Sequence, residues 1–397
     1  MHWMRTAAIV ALPAIAIAQS GPGNVTMRNA SSVRIEQLAT LEFPWGLAQL
    51  PDGRLLITEK PGRLRIYADG KLSAPVEGLP SISYREGQSE QGGLLDVAID
   101  PDFTRNRTIY ISYSEEVAPP AGAKADDDRR FGGFLDLTDN RMRGGAVARA
   151  VLDGTRLSEL KVIWRQEPKQ ISRGHFGHRI VFGQDGTMFI TSGDRMRFDP
   201  AQDTKSNLGK VVRINRDGTT PKDNPFASGG RGDVWSVGHR NMLAAAVHPT
   251  TGQLWVLEMG PLGGDELNLI QRGRNYGWPV VSDGDNYDKS PIPDHSTKPA
   301  FEKPVRTWTP VISPSGALFY QGTMFPWRGS LVAGGLSSKA LIRLAISGSS
   351  VTSEERIDMQ RRVRDVVEAR DGALLVITDE KSGALLRVTP AGGSEER

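Results

Sequence analysis

The chain has 397 residues, of which 38% are hydrophobic and 24% charged, a balance typical of soluble globular proteins with one large or two ordinary domains. The formal net charge is only +3 and the Lys and Arg residues are spread along the chain, so the composition does not suggest a nucleic-acid surface. Because the chain has no Cys, disulfides and thiolate metal sites are excluded, and any metal must be bound by oxygen or imidazole ligands.

The first residues have the pattern of an export signal. Arg5 precedes an apolar run from Ala7 to Ala18, and Ala16 and Ala18 are small residues at the positions that a signal peptidase reads. We therefore predict a signal peptide over residues 1–18, cleavage before Gln19 and a periplasmic location. The alternative is a cytosolic protein with an apolar start. The run is too short for a comfortable membrane span, so no membrane-spanning segment is expected.

The mature chain, residues 19–397, repeats a unit of strand, turn, strand and a further strand in which Arg and aliphatic residues alternate. The six copies span residues 46–67, 93–152, 174–214, 243–270, 317–344 and 365–388. Each copy is too small to bury its own faces, and no long amphipathic helical stretch intervenes. The repeat predicts an all-β, single-domain fold, a six-bladed β-propeller with four-stranded antiparallel blades. A β-sandwich does not explain a repeat of this length.

In a propeller the first strand of each blade lines the central channel, so residues just before first strands and just after second strands meet at one end of the channel. Before first strands stand Gln91, His175, Arg240, Asn241, Arg362 and Arg364, with Trp308 somewhat further upstream. After second strands stand Glu59, Lys60, Asp194, residues 258–261, Ser337 and Asp379. We expect the functional site at this end, with an insertion at residues 115–145 able to cover it.

His175 and Asp194 flank one predicted hairpin, which turns at residues 184–186. In an antiparallel pair, the residue before the first strand and the residue after the second strand fall at the same end. A His beside a carboxylate is the minimum needed for an oriented general base. A structural His near a strand end is the alternative.

Two further patterns point to ligands of this end of the channel. Residues 258–268 combine Gly and Pro with carboxylates, which suits Ca²⁺, although an ordinary acidic turn is the alternative. Arg362 and Arg364 alternate and so point to one face of an extended segment, and Arg240 approaches the same end. Clustered guanidinium groups suit a ligand with several carboxylates or phosphates, whereas the alternative is a set of surface salt bridges.

With these motifs the sequence resembles the soluble quinoprotein sugar dehydrogenases, that is, the aldose sugar dehydrogenases and the soluble glucose dehydrogenases that use pyrroloquinoline quinone (PQQ). The resemblance covers nearly the whole mature chain. It rests on QGGLLD at residues 91–96, HFGHR at 175–179, GHRN at 238–241, residues 258–270, NYGWP at 275–279, RVRDV at 362–366 and TD at 378–379. It implies a periplasmic enzyme that oxidises the anomeric carbon of aldoses to lactones, with hydride transfer to PQQ, Ca²⁺ on the cofactor and an electron acceptor in the respiratory chain.

The resemblance also implies a role for each site residue. His175 matches the base that takes the proton of the anomeric hydroxyl, Asp194 the carboxylate that orients it, and Gln91 the polar residue facing the reacting carbon. The family's cofactor contacts match four residues of this chain, Arg240, Asn241, Arg362 and Arg364. The carbonyls of Gly260 and Pro261 match ligands of the PQQ-bound Ca²⁺. Residues that resemble part of a second, structural Ca²⁺ site are Glu266 and Tyr276, with Asp283 or Asp285. Trp308 is a candidate for packing against the planar cofactor or, equally, for the core of a blade.

Ser337 departs from the family pattern, because the glucose-oxidising members carry a cofactor-binding Lys after the second strand of the fifth blade. Lys339 is the candidate substitute, and the alternative is that this contact is lost. Two other functions stay open on the residues alone. A Ca²⁺-dependent propeller hydrolase of the lactonase type would not need the Arg cluster, and a non-catalytic binding propeller would not need His175 and Asp194.

Overall fold

The computed structural model describes residues 25–87, 90–124, 130 and 140–392, and its regular structure is almost entirely β. The predicted signal peptide over residues 1–18 lies outside the described residues. The helical elements whose bounds are described are α1 (Phe103–Asn106) and two 3-10 turns (Asp199–Ala201 and His295–Thr297). None of the helices described is long and apolar enough to cross a membrane.

The strands form six sheets, as the repeat predicted. The chain starts with β1 (Thr26–Arg28) and β2 (Val33–Leu41), which join sheets made by later segments. Blade 1 contains β3 (Pro44–Gln49), β4 (Leu55–Glu59), β5 (Arg63–Ala68) and β6 (Lys71–Leu72). Blade 2 contains β7 (Leu94–Ile99), β8 (Thr108–Val117), β9 (Met142–Asp153) and β10 (Arg156–Arg165), with β11 (Gln170–Ile171) beside β9. Blade 3 contains β12 (Gly177–Phe182), β13 (Thr187–Ser192), β14 (Lys210–Asn215) and β15 (Val234–Val237).

The second half of the chain supplies the remaining three blades. Blade 4 contains β16 (Met242–Val247), β17 (Leu254–Glu258), β18 (Asp265–Ile270) and β19 (Arg306–Trp308). Blade 5 contains β20 (Pro314–Phe319), β21 (Leu331–Gly335), β22 (Ala340–Ser347) and β23 (Ser350–Asp358), with β1 added in parallel. Blade 6 contains β24 (Val363–Glu368), β25 (Leu374–Thr378) and β26 (Gly383–Pro390), and the early strand β2 completes it.

The first strands of the blades contact one another in the cyclic order β3, β7, β12, β16, β20, β24 and back to β3. The prediction of a six-bladed propeller with four-stranded antiparallel blades is confirmed. The pairing of β2 with β26 closes the ring, because it joins the beginning of the described chain to its end. The pairing makes β2 the outer strand of blade 6 and gives that blade its fourth strand.

The apolar core is divided into six main clusters, and each lies between two neighbouring blades. Examples are the cluster of Leu56 and Ile111 between blades 1 and 2, and the cluster of Trp255 and Leu331 between blades 4 and 5. Four further clusters complete the set between the other neighbouring pairs. Since each blade buries its faces only against its neighbours, the blades stabilise one another and the sixfold repeat folds as a ring.

A buried group of charged residues, which we name the axial cluster, connects the first strands. It consists of Arg179 in β12, Asp96 in β7 and Asp365 in β24. Arg179 Nη1 contacts Asp96 Oδ1 at 3.0 Å and Asp365 Oδ2 at 2.8 Å. Arg179 Nε donates to the carbonyl of Leu243 in β16, and Leu47 N in β3 donates to Asp365 Oδ2. One guanidinium and two carboxylates thereby join five blades at the centre of the ring.

Candidate active site

A cavity of about 460 Å³ lies at the end of the channel where the sequence predicted the site. Its wall contains residues that precede first strands, among them Gln91, Asn241 and Arg362, and residues that follow second strands, among them Lys60 and Asp379. The volume is in the range of sites for small molecules and cofactors. The propeller therefore collects side chains that are far apart in sequence around one recess.

His175 is not itself part of the cavity wall, but it directly precedes the lining residues Phe176 and Gly177 in the chain and is bonded to a third, Gln91. His175 Nδ1 is 2.6 Å from Asp194 Oδ1, and Trp278 Nε1 donates to the other oxygen of Asp194 at 2.7 Å. The backbone N–H of His175 donates to Gln91 Oε1 at 2.8 Å. The structure thus brings together the three residues predicted for catalysis. It adds Trp278, whose role in holding Asp194 was not predicted.

The local backbone and burial suit His175 to a role as a base. Its φ of 51° lies in the left-handed region, a strained conformation that often marks functional positions. Burial and the nearby charge of Arg240 lower the pKa of His175, and Asp194 opposes them. Burial would raise the pKa of Asp194, but His175 and Arg240 lower it below its usual value. The imidazole is therefore neutral at pH 7, and its carboxylate partner is ionised.

The opposite side of the cavity carries what we name the cation cluster: Lys60, Arg362 and Arg364 around Asp379. Arg362 Nη2 is 3.1 Å and Arg364 Nη2 is 2.8 Å from the carboxylate of Asp379, and Lys60 Nζ is 4.0 Å from it. Burial opposes the ionisation of Asp379, but Arg364, Lys60 and Arg362 hold its pKa far below the usual value. Three cations share one carboxylate, so this wall has excess positive charge.

Arg240 and Asn241, the other predicted cofactor contacts, lie between the His–Asp pair and the 258–268 loop. Arg240 Nη1 donates to the carbonyl of Met259 at 2.9 Å, and its guanidinium lies 5.2 Å from the ring of Trp278. Asn241 lines the cavity, and its buried Oδ1 has no hydrogen-bond partner among the described residues. An orphaned buried acceptor in a cavity wall is costly unless a ligand satisfies it.

The predicted metal loop is compact and exposes its backbone. Asp265 Oδ1 accepts from Gly260 N at 2.8 Å, while its Oδ2 accepts from Ile312 N at 2.8 Å. A Cβ on Gly260 would meet the carbonyl of Gly263 at 2.2 Å, so only glycine allows this close fold. The carbonyls of Gly260 and Pro261 follow Met259, which lines the cavity. Their donor type is the one that Ca²⁺ prefers.

The residues of the predicted second calcium site lie around one histidine, His295. The ring of His295 lies among the predicted ligands, with Nε2 3.1 Å from the carbonyl of Tyr276 and Nδ1 3.9 Å from Glu266. Asp283 is 3.3 Å from the same Nδ1, and Asp285 is exposed and pairs with Leu262 through its backbone. Burial opposes protonation of His295, but Asp283 and Glu266 raise its pKa to about 9. The second calcium site stays a prediction.

Two predicted cofactor contacts lie away from the cavity. Trp308 is fully buried in the core between blades 4 and 5, where its Nε1 donates to Glu354 at 3.0 Å. The alternative prediction for Trp308, a blade-core residue, is correct. Lys339 is exposed, in the turn between β21 and β22, and its φ of 51° belongs to that turn. The residue that enters the cavity with an ammonium group is instead Lys60 of blade 1.

The fold and the cavity define a class of protein, a six-bladed propeller enzyme with an oriented His–Asp pair beside a polycationic recess. The family model "Glucose / Sorbosone dehydrogenase" matches residues 41–387. The chain therefore belongs to the glucose/sorbosone dehydrogenase family, and its aldose sugar and glucose dehydrogenase relatives are oxidoreductases.

Two relatives and two solved structures illustrate the similarity. The chain is 39% identical over 373 residues to the aldose sugar dehydrogenase YliI of Escherichia coli (strain K12), which covers 91% of this chain and 94% of the relative. The crystal structure of the soluble aldose sugar dehydrogenase from Escherichia coli in the apo-form gives a TM-score of 0.79 at 39% identity, over 90% of this chain and 100% of that one. Quinoprotein glucose dehydrogenase B of Acinetobacter calcoaceticus is 27% identical over 428 residues, 87% of this chain and 85% of the relative. The PQQ-bound form of aldose sugar dehydrogenase from Streptomyces coelicolor gives a TM-score of 0.69 at 25% identity, over 90% of this chain and 98% of that one.

Proposed function

We propose that this protein is a PQQ- and Ca²⁺-dependent dehydrogenase that oxidises aldose sugars at the anomeric carbon and releases lactones. The observation that carries the proposal is the pairing of a neutral, oriented His175 with a cavity whose opposite wall holds three cations around Asp379. A neutral lactone substrate would not need such an excess of positive charge, whereas a planar tricarboxylate would. The names of the Acinetobacter and Streptomyces relatives, a quinoprotein and a PQQ-bound enzyme, support the same cofactor.

The residues present fit PQQ and Ca²⁺. The cavity of about 460 Å³ suits a small planar cofactor, and Arg362 and Arg364 offer forked donors for its carboxylates. Asn241 offers an unpaired Oδ1 in the wall, which a donor group or a metal ion can satisfy. The carbonyls of Gly260 and Pro261 would hold Ca²⁺. When bound, PQQ supplies the hydride acceptor and Ca²⁺ makes it more electrophilic.

The protein's own part in the reaction is proton transfer and orientation. Asp194 holds the Nδ1 side of His175, so Nε2 is the nitrogen that takes the proton of the anomeric hydroxyl. The sugar loses this proton and the hydride from its C1, which leaves the lactone. Asp194 then stabilises the imidazolium that forms, and Trp278 and Met196 N keep its carboxylate in place. Gln91, bonded to the backbone of His175, lies in the cavity wall and can orient the sugar.

We also propose that the enzyme works in the periplasm and passes its electrons to the respiratory chain. The support for the location is the sequence pattern of residues 1–18, with Arg5 before an apolar run and small residues at Ala16 and Ala18. Sequencing the N-terminus of the protein recovered from a periplasmic extract tests this, and the expected first residue is Gln19. Recovery of an uncleaved chain from the cytoplasmic fraction would contradict it.

Dye reduction by the purified apo-protein tests the activity. The protein is supplied with an aldose and with PQQ and Ca²⁺ together, and then with each one omitted. We expect turnover only when both are present. Tight PQQ binding without turnover would point to another sugar or acceptor, while failure to bind PQQ would overturn the proposal and make lactone hydrolysis the next assay.

A further inference from the structure

We infer that Lys60 is a binding residue for a carboxylate of PQQ, taking from blade 1 the role that neither Ser337 nor Lys339 of blade 5 can take. The inference rests on the proposed function, since it concerns the cofactor of that same cavity. Ser337 and Lys339 are exposed, and neither contributes to the cavity wall described above. Lys60 does contribute to it, beside Arg362 and Arg364.

The backbone around Lys60 is held so that its side chain enters the cavity. Lys60 N donates to the carbonyl of Phe43, and the Lys60 carbonyl accepts from Leu94 N of blade 2, both at 3.0 Å. Gly93 packs so closely that a Cβ there would meet the Lys60 carbonyl at 2.3 Å. The preceding residue, Glu59, points the other way, where Arg63 Nε donates to its carboxylate at 2.7 Å. The side chains of residues 59 and 60 therefore point in opposite directions, that of Glu59 toward its ion pair with Arg63 and that of Lys60 into the cavity.

Among the described residues, the polar contacts of the Lys60 ammonium group are long, and its Nζ also lies 5.1 Å from the centroid of the Phe43 ring. Its Nζ is 4.0 Å from Asp379 Oδ1 and 3.4 Å from the backbone carbonyl of Glu90. Asp379 is closer to both Arg362 and Arg364, and the carboxylate of Glu90 accepts from Arg143 at 2.9 Å. The two nearest carboxylates are thus already matched with closer guanidinium groups. A buried ammonium with such loose partners gains most from an anionic ligand in the cavity.

The charge balance of the cavity agrees with this role. Burial lowers the pKa of Lys60, Asp379 raises it, and the nearby Arg364 lowers it again. A carboxylate placed between Lys60 and the two arginines would relieve the repulsion within the cation cluster. With Asp379 included, the cation cluster has a net charge of +2, so it can neutralise two of the three carboxylates of PQQ.

The test measures PQQ binding to the full-length apo-protein in Ca²⁺ buffer by quenching of tryptophan fluorescence, since Trp45 lines the cavity. Lys60→Met removes the charge, Lys60→Arg keeps it, and Lys339→Met is the matched control on an exposed lysine. We expect Lys60→Met to weaken PQQ binding by about 10- to 100-fold, as for the loss of a charge-assisted hydrogen bond, with Lys60→Arg and Lys339→Met close to wild type. A second probe, the trimethyl ester of PQQ, lacks the carboxylate charges, and the difference between wild type and Lys60→Met should then disappear.

The outcomes separate this inference from the proposed function. If wild type binds PQQ and oxidises sugar but Lys60→Met binds equally well, only the Lys60 assignment is overturned. If wild type does not bind PQQ, both fail. A loss that persists with the trimethyl ester would show that Lys60 acts through the fold and would also overturn the assignment. Should Lys60→Met not fold, as judged by circular dichroism, Lys60→Gln supplies the neutral variant for the same comparison.

Discussion

The channel of this propeller contains two groups of charged residues that differ in how their charges are matched. In the axial cluster one guanidinium, Arg179, lies between two carboxylates, whose other oxygens accept from backbone N–H groups. In the cation cluster three positive side chains surround the single carboxylate of Asp379. The two clusters are adjacent, because Arg179 Nη2 donates to the backbone carbonyl of Arg364 at 3.2 Å. The axial cluster makes its hydrogen bonds within the protein and holds the blades together. The cation cluster has an excess of positive charge that an anionic ligand can neutralise.

The largest expected effect is on the reaction rate, and it concerns His175, which belongs to neither cluster. His175→Ala removes the proposed base, and loss of a positioned general base lowers rates by about 10²- to 10⁴-fold. We expect kcat for sugar oxidation to fall by this factor while PQQ binding stays within about threefold of wild type, because the cation cluster is intact. Steady-state dye reduction and fluorescence titration measure the two quantities. Activity within tenfold of wild type would show that His175 is not the base.

The axial cluster should determine stability. Arg179→Met leaves Asp96 and Asp365 buried without their cation, and burial already raises the pKa of Asp96 to about 6. Breaking a buried pair in this way typically costs about 3–5 kcal/mol of the free energy of unfolding. Urea unfolding followed by circular dichroism measures the loss.

The matched control for that substitution is Arg107→Met, which removes an arginine paired with Asp153 at the surface. Surface pairs contribute about 0–1 kcal/mol, so this variant should stay close to wild type. If Arg179→Met were no less stable than Arg107→Met, the axial cluster would not be the element that holds the first strands together.

The cation cluster should determine cofactor affinity. Arg364→Met removes one of the guanidinium groups around Asp379, and the dissociation constant of PQQ should rise by about 10- to 100-fold. The apo-protein should lose little stability, because Arg362 and Lys60 still neutralise Asp379. Arg343→Met, which breaks an ion pair with Glu355 in blade 5, is the control for removing an arginine elsewhere. A fall in stability without a change in PQQ affinity would make the cation cluster a second structural group.

Much of this arrangement could be predicted from the sequence because it depends on position within a repeat. The sixfold pattern places the ends of strands at one mouth of the channel, and so His175, Asp194, Gln91 and Arg364 could be assigned to one site before any coordinates. The strand β2, which closes the ring, could not be assigned in the same way, because it lies before the first copy of the repeat and carries no turn signal that links it to blade 6.

The errors concern residues whose direction depends on tertiary packing. Trp308 ends the outer strand of blade 4, and only the packing of blade 5 against it decides that its ring is in the core. Lys339 was assigned by its closeness to Ser337 in sequence, but the turn after β21 keeps it exposed. The position of His295 was not predicted either, because it comes from the insertion at residues 278–307, whose path no repeat constrains. The second calcium site beside it stays a prediction.

The smallest expected effect is a shift in the pH dependence of the reaction. Burial and Arg240 lower the pKa of His175, so its neutral, basic form persists to a lower pH than that of an exposed histidine. The ratio kcat/KM follows the protonation of the free enzyme. It should therefore not change with pH around pH 7, and it should fall only below pH 6.5, the ordinary pKa of a histidine. The profile is measured on the PQQ-loaded enzyme at low sugar concentration. The same profile with sugar deuterated at C1 is the control, because an isotope effect shows that the chemical step limits the rate.

An acid limb at or above pH 6.5 would mean that the attraction of Asp194 outweighs burial and Arg240. The His–Asp pair would then be an ion pair, held within the protein as the ion pairs of the axial cluster are, and His175 would not be a neutral base at that pH.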